Sequence, residues 1–160
     1  MKFDGKTYTH STLEEGYDFK IKDKRGKAYH FKVATFLCPG GQLSEAIEFK
    51  KKHEDPRYFF RVLTPFDSDI EKAELLLKAK IKKGIDRRHL EVSNGHLIIT
   101  DKNTLRGRIE SSMGKKDTEF DQVLIIDGKR ITIEEFARLI DGYEGWDFKL
   151  EMADRTDDND

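Results

Sequence analysis

The sequence predicts an α+β fold: a mainly antiparallel sheet built from hairpins, with two or three covering helices. Three observations carry that reading. One alternating stretch occurs twice, as Glu15-Gly16-Tyr17-Asp18-Phe19-Lys20-Ile21 near the start and Glu144-Gly145-Trp146-Asp147-Phe148-Lys149-Leu150 near the end, identical at five of seven positions. Asn94-Gly95 separates two short apolar runs, the strongest local signal of a hairpin. Ser68 with Glu71, and Thr132 with Glu135, place a hydroxyl and a carboxylate three residues apart, the capping box that opens a helix.

Each copy of the repeat alternates large apolar with charged residues, the period of a strand with one buried face. Tyr17, Phe19 and Ile21 are predicted to point inward, and so are Trp146, Phe148, Leu150 and Met152. Two related strands closing one sheet would use both copies; two unrelated amphipathic strands sharing common residues is the plainer alternative.

A chain of 160 residues is read as a single α+β domain over residues 1–153, with two small lobes as the fallback and an acidic, frayed tail at 154–160. The hydrophobic fraction is 36% against 38% charged, yet eleven Phe, five Tyr and one Trp supply bulk for a core. That balance describes a folded chain with a highly charged surface rather than a disordered one. No apolar run is long enough to cross a bilayer, and Met1-Lys2-Phe3-Asp4-Gly5-Lys6 lacks the apolar core of a signal peptide, so a cytoplasmic protein without a membrane partner is expected. The single cysteine, Cys38, excludes an internal disulfide and a cysteine-cluster metal site. Net charge is −1, but residues 1–116 carry 25 Lys+Arg against 17 Asp+Glu, and residues 117–160 carry 5 against 14. Interleaving of these oppositely charged parts is favoured over two separate partners.

Along the chain, a strand over 17–23 turns at Lys24-Arg25-Gly26 and returns through 28–36. A short helix is predicted over 43–53, with Leu43, Ala46 and Ile47 on one face and lysines at its C-terminal end, stopped by Pro56. Residues 57–63 read as a strand. The first capping box opens a helix to Lys83, with Gly84 as a left-handed cap, Ile70, Ala73, Leu76, Leu77 and Ile81 inward, and Lys72, Lys78, Lys82 and Lys83 in water. Strands over 90–93 and 96–100 flank Asn94-Gly95, and another is expected over 104–111. The nearly continuous apolar run 122–126 suits a central strand, turned by Asp127-Gly128 into a short partner at Arg130-Ile131. The second capping box opens a helix with Phe136, Leu139 and Ile140 inward and Gly142 as its stop.

Three segments together resemble an uncharacterised family of small bacterial domains. They are Arg106-Gly107-Arg108-Ile109-Glu110, the run from Val123 through Asp127-Gly128-Lys129-Arg130-Ile131-Thr132-Ile133-Glu134-Glu135-Phe136, and Tyr143-Glu144-Gly145-Trp146 with the residues that follow it. The resemblance covers roughly the last third of the chain. It implies a bacterial domain of unassigned function and supplies no catalytic residue.

Candidate chemistry is sparse. Cys38 precedes Pro39-Gly40-Gly41, where backbone N–H groups and a lowered thiol pKa would suit a nucleophile, with His30 or His53 as its base. A lone cysteine is more often a small buried hydrophobe. The histidines are scattered without helical spacing, so no metal is expected, and neither the P-loop lysine nor the dinucleotide fingerprint is present, so no cofactor is expected. The carboxylate pairs Glu14-Glu15 and Glu134-Glu135 are sequence neighbours that face apart, and Glu135 is accounted for as a cap. Lys80, Lys82, Lys83, Arg87 and Arg88, with Arg106 and Arg108, would suit a phosphate backbone, although a solvated helix face has the same composition. Tyr17, Tyr143 and Trp146 are candidates for a ligand or partner surface, against a core role for rings in phase with Phe19 and Phe148. A non-enzymatic binding or interaction module, with a protein partner or a homodimer through an open sheet edge or aromatic patch, is the leading reading; nucleic-acid binding is the alternative, and a small hydrolase or transferase using Cys38 the third.

Overall fold

The computed structural model describes residues 16–52 and 56–154. Over them the chain forms nine strands in three antiparallel sheets and two α-helices, the α+β class that its hairpin and capping signals predict. The chain forms two compact units. The first contains residues 16–52, Tyr58–Asp86 and 151–154; the second contains residues 56–57 and Arg87–Leu150.

The first unit is a four-stranded meander, β1 (Tyr17–Lys22), β2 (Ala28–Cys38), β3 (Gly41–Glu48) and β4 (Phe59–Thr64), paired in that order, with α1 (Ile70–Asp86) packed on one face. The register sets Tyr17 opposite Val33, Phe19 opposite Phe31, Ile21 opposite Tyr29, and Ala46 opposite Phe60. Period-two alternation therefore gathers one apolar face. Leu77, Ile81 and Ile85 of α1 lie buried with Tyr29, Phe31, Val33, Ala46 and Val62, and Tyr17, Phe19, Ile21, Tyr58 and Phe60 pack around them. The first turn is as predicted: Gly26 has positive φ, and the buried Asp23 carboxylate accepts the Arg25 and Lys27 amides at 2.8 and 3.0 Å.

The predicted helix over 43–53 is instead β3. Cys38 pairs with Gly41, so Pro39-Gly40 is a tight hairpin loop that leaves the next residues in register with β2. Both faces of this central strand are covered, Ser44 bonding Thr35 at 2.8 Å on one and Glu45 pairing with Arg61 at 2.8 Å on the other. These partners lie at a distance in sequence, where helical periodicity carries no information about them. Residue 53, the last of that prediction, lies outside the described residues.

Helix α1 is capped one residue later than predicted: Asp69 Oδ1, not Ser68, accepts the Glu71 amide at 2.9 Å. It also runs through Gly84 to Asp86. A Cβ at Gly84 would sit 2.4 Å from the Phe60 ring, so this glycine admits an aromatic from β4 rather than ending the helix. Leu76, predicted inward, is exposed, and Ile85 takes the buried position two turns beyond Leu77.

In the second unit, β5 (Leu90–Ser93) and β6 (His96–Ile99) form the predicted Asn94-Gly95 hairpin, with positive φ at both turn residues. Strands β7 (Gly107–Ser111), β8 (Gln122–Ile126) and β9 (Lys129–Thr132) make a second meander with β8 central, as its apolar run requires. Asp127 turns β8 into β9 and also accepts the His89 and Leu90 amides through Oδ2 at 2.9 and 2.8 Å, fastening the start of β5. Helix α2 (Ile133–Ile140) opens on the predicted reciprocal box, Thr132 Oγ1 accepting the Glu135 amide at 3.1 Å and Glu135 Oε2 the Thr132 amide at 2.9 Å. Glu134 faces elsewhere: the Glu119 amide and Thr118 hydroxyl donate to it at 2.8 and 2.7 Å, and hold its carboxyl at about 2. Leu90, Ile126, Ile131 and Leu139 form the core, with Phe136 packed against it; Ile140, predicted inward, is exposed.

The second copy of the repeat departs most from expectation. After α2 and a single 3-10 turn, Asp141–Tyr143, the chain forms no strand. Trp146, Phe148, Leu150 and Met152 are 62%, 89%, 72% and 69% exposed. Alternation is necessary for a half-buried strand, but a ladder partner is necessary too, and among the described residues no strand pairs with this copy.

Candidate functional site

Aromatic and charged side chains gather in two places, one in each unit. In the first unit, β1 is held on both faces. On the helix side the Tyr17 hydroxyl donates to Glu74 Oε2 at 2.8 Å. Burial, reinforced by that carboxylate, pushes the Tyr17 phenol well above its ordinary value. Burial also raises the Glu74 carboxyl, against the opposing pull of the Tyr17 hydroxyl and the Lys78 charge. The Lys78 ammonium lies 5.5 Å from the Tyr17 ring centre and 5.1 Å from that of Phe19, a cation set over two aromatic faces. On the other side Asp18 accepts Lys32 Nζ at 2.5 Å and His30 Nε2 at 2.6 Å, which together lower its carboxyl to about 2. Tyr17 is thus a docking group of the first sheet, its ring against the core and its hydroxyl engaged.

In the second unit, Tyr143 and Trp146 bracket a tight turn. Glu144 at φ −54°, ψ 128° and Gly145 at φ 88° have the dihedrals of a type II turn, closed by the Trp146 amide donating to the Tyr143 carbonyl at 2.9 Å. A side chain is strained at such a φ, which is why glycine stands there. The Tyr143 hydroxyl donates to Asn103 Oδ1 at 2.8 Å, and the two rings meet edge to face, centroids 5.2 Å apart at 78°. The turn thereby fixes the root of a segment whose next apolar groups, Phe148 and Leu150, stand in solvent. Alternation in the sequence groups these with Trp146 on one face but gives that face as buried, whereas it is exposed; the Glu-Gly dipeptide, a type II turn signal, is the local clue to the turn before it.

The other candidates are dispersed. Cys38, a free thiol of intermediate burial, ends β2, and His30 stands eight residues earlier on the same strand, roughly 26 Å away at strand rise, so the fold does not bring this nucleophile and base together. His53 lies outside the described residues. Lys80 Nζ donates to the Arg61 carbonyl at 2.9 Å on the β4 side of α1. Lys82 Nζ donates to the Lys22 carbonyl and Asp86 at 3.0 and 3.1 Å on the β1 side. Two residues of separation on a helix is about 200°, so these cations do not share a stripe. Lys83 and Arg106 are exposed, and Arg87 and Arg88 half-buried. Arg108 donates to Glu110 at 2.5 Å and to the Arg57 carbonyl. Among the described residues no three His, Cys, Asp or Glu side chains are grouped to hold a metal ion, and no helix is long and apolar enough to cross a membrane.

Comparison with known proteins divides the chain just after α1, where the first unit gives way to the second. Residues 14–86 match the family model of a domain of unknown function, DUF7686, and residues 89–157 match that of another domain of unknown function, DUF7713. Both halves match families without an assigned function. No curated protein and no solved structure matches the chain. The three segments whose resemblance implied a domain of unassigned function all lie inside the DUF7713 match, as does the Tyr143–Leu150 site; β1 and Glu74 lie inside the DUF7686 match.

Proposed function

We propose that the chain is a non-catalytic cytoplasmic interaction module that presents residues 146–150 to a protein partner as a strand in waiting. The observation that carries this reading is the exposure of Trp146, Phe148 and Leu150 in strand alternation beyond a turn that anchors their root. Rings of this kind are the groups that contribute most where a surface becomes buried against another protein. An extended segment can also join a sheet edge. Incorporation of a benzophenone amino acid at position 148 of the full chain in cells is expected to yield a discrete protein adduct on irradiation, lost in the Trp146→Asp background. A diffuse smear, or no adduct at all, would rule the reading out.

A further inference from the structure

We infer that the partner of residues 146–150 is β1 of a second copy of this chain, an inference that rests on reading 146–150 as an interaction segment. Among the described strands β1 is the outermost of its sheet, and it pairs there with β2 alone. Its residues Tyr17, Phe19 and Ile21 are only half covered.

Charge then selects one antiparallel pairing. With the strands antiparallel and Phe148 opposite Phe19, Lys149 faces Asp18, Asp147 faces Lys20, Leu150 faces Tyr17 and Trp146 faces Ile21. Both charged pairs are of opposite sign, and all three apolar pairs fall on the helix side of the sheet. Shifting by two residues one way sets Asp147 against Asp18, and the other way Lys149 against Lys20. A one-residue slip turns every apolar group to the wrong face. Parallel pairing of the two like sequences in register places aspartate on aspartate and lysine on lysine. Among the antiparallel registers only this one survives.

Helix α1 extends the site. Glu74, Lys78 and Lys82 reach β1, and at 100° per residue Leu75 comes next around that flank, away from the buried face. Leu75 is exposed, in the position to cover the apolar side of a strand added outside β1. Pairing β1 with β1 of a second copy has the same charge symmetry but leaves Trp146, Phe148 and Leu150 in water. Pairing two 146–150 segments with each other makes an isolated two-stranded ribbon, which is marginal on its own. Reciprocal exchange, each copy's segment on its partner's β1, closes as a two-fold dimer.

The test is sedimentation of the full chain up to about 200 µM, a range that captures a small interface. A dimer is expected, weakened about tenfold or more by Asp147→Lys, which meets Lys20 twice in the symmetric dimer, and restored to within about threefold by adding Lys20→Asp. This cycle leaves Asp18, which already serves Lys32 and His30, untouched. The benzophenone at position 148 should map to residues 17–21 of the other copy. A chain that stays monomeric, a dimer indifferent to Asp147→Lys, or a crosslink to β1 within the same chain overturns the inference. A monomer whose benzophenone captures a different protein discards the second copy as partner and keeps the interaction segment; a monomer with no adduct discards both.

Discussion

Tyr17–Ile21 and Trp146–Leu150 are almost the same peptide in two states. The first lies in a sheet, its tyrosine hydroxyl on Glu74, its aspartate between Lys32 and His30, and its phenylalanine opposite a fully buried Phe31. The second has the same aspartate, phenylalanine and lysine and is solvated, because the chain reaches it through a helix and a turn rather than a hairpin. Three shared residues in the same alternation therefore do not determine a strand. What differs is the neighbour: β1 is tied by a tight turn to β2, whose amides and carbonyls complete its ladder, whereas residues 146–150 end a helical excursion and no described strand lies beside them.

The largest test of this contrast is a matched truncation. Phe19→Ala removes a half-buried ring from the packed face and is expected to cost about 2 kcal/mol, roughly half the loss for a fully buried phenylalanine. Phe148→Ala removes the same ring from water and should change unfolding by no more than about 0.5 kcal/mol. Urea unfolding of both variants, at concentrations low enough to keep the chain monomeric, reads the difference; equal losses would mean that residues 146–150 are packed in solution.

That contrast also marks how far sequence reasoning reaches. The Asn94-Gly95 hairpin, the turn at Gly26, the central run 122–126 and the box at Thr132 and Glu135 were legible because the residues that determine them lie within a few positions of one another. β3 was read as a helix because its cause is remote: Arg61 and Thr35 partner its side chains, and a strand covered on both faces shows no alternation. Gly84 looked like a helix stop because the Phe60 ring that it accommodates is two dozen residues away. The candidate site was the least legible part, since exposed and buried copies of one alternating peptide are identical in pattern. Its recognition needed the coordinates of everything that fails to pair with it.

A smaller effect should appear with acid. Lys32 and His30 hold the Asp18 carboxyl at about 2 against an ordinary 3.8, so the folded chain favours the ionised form more than the unfolded chain does. The stability this contributes is present above about pH 3.8 and is lost as pH falls through 2. Asp18→Asn removes the group that titrates, so urea midpoints of the variant should fall less steeply than those of the parent between these limits. Parallel curves would show that the Lys32 and His30 contacts do not persist in solution.

The smallest expected change comes from exchanging the copies' identities. Tyr17→Trp with Ile21→Leu writes Trp-Asp-Phe-Lys-Leu, the sequence of the exposed copy, into β1. If position in the chain decides the state, the strand stays: Ile→Leu conserves volume, and an indole N–H is a donor that can take over from the Tyr17 hydroxyl toward Glu74. The double variant should lose no more than about 1.5 kcal/mol and keep amide protection over 17–21 in hydrogen exchange. Protection that vanishes there while β2 and β3 keep theirs would show that tryptophan and leucine themselves, rather than the missing neighbour, hold the second copy in water.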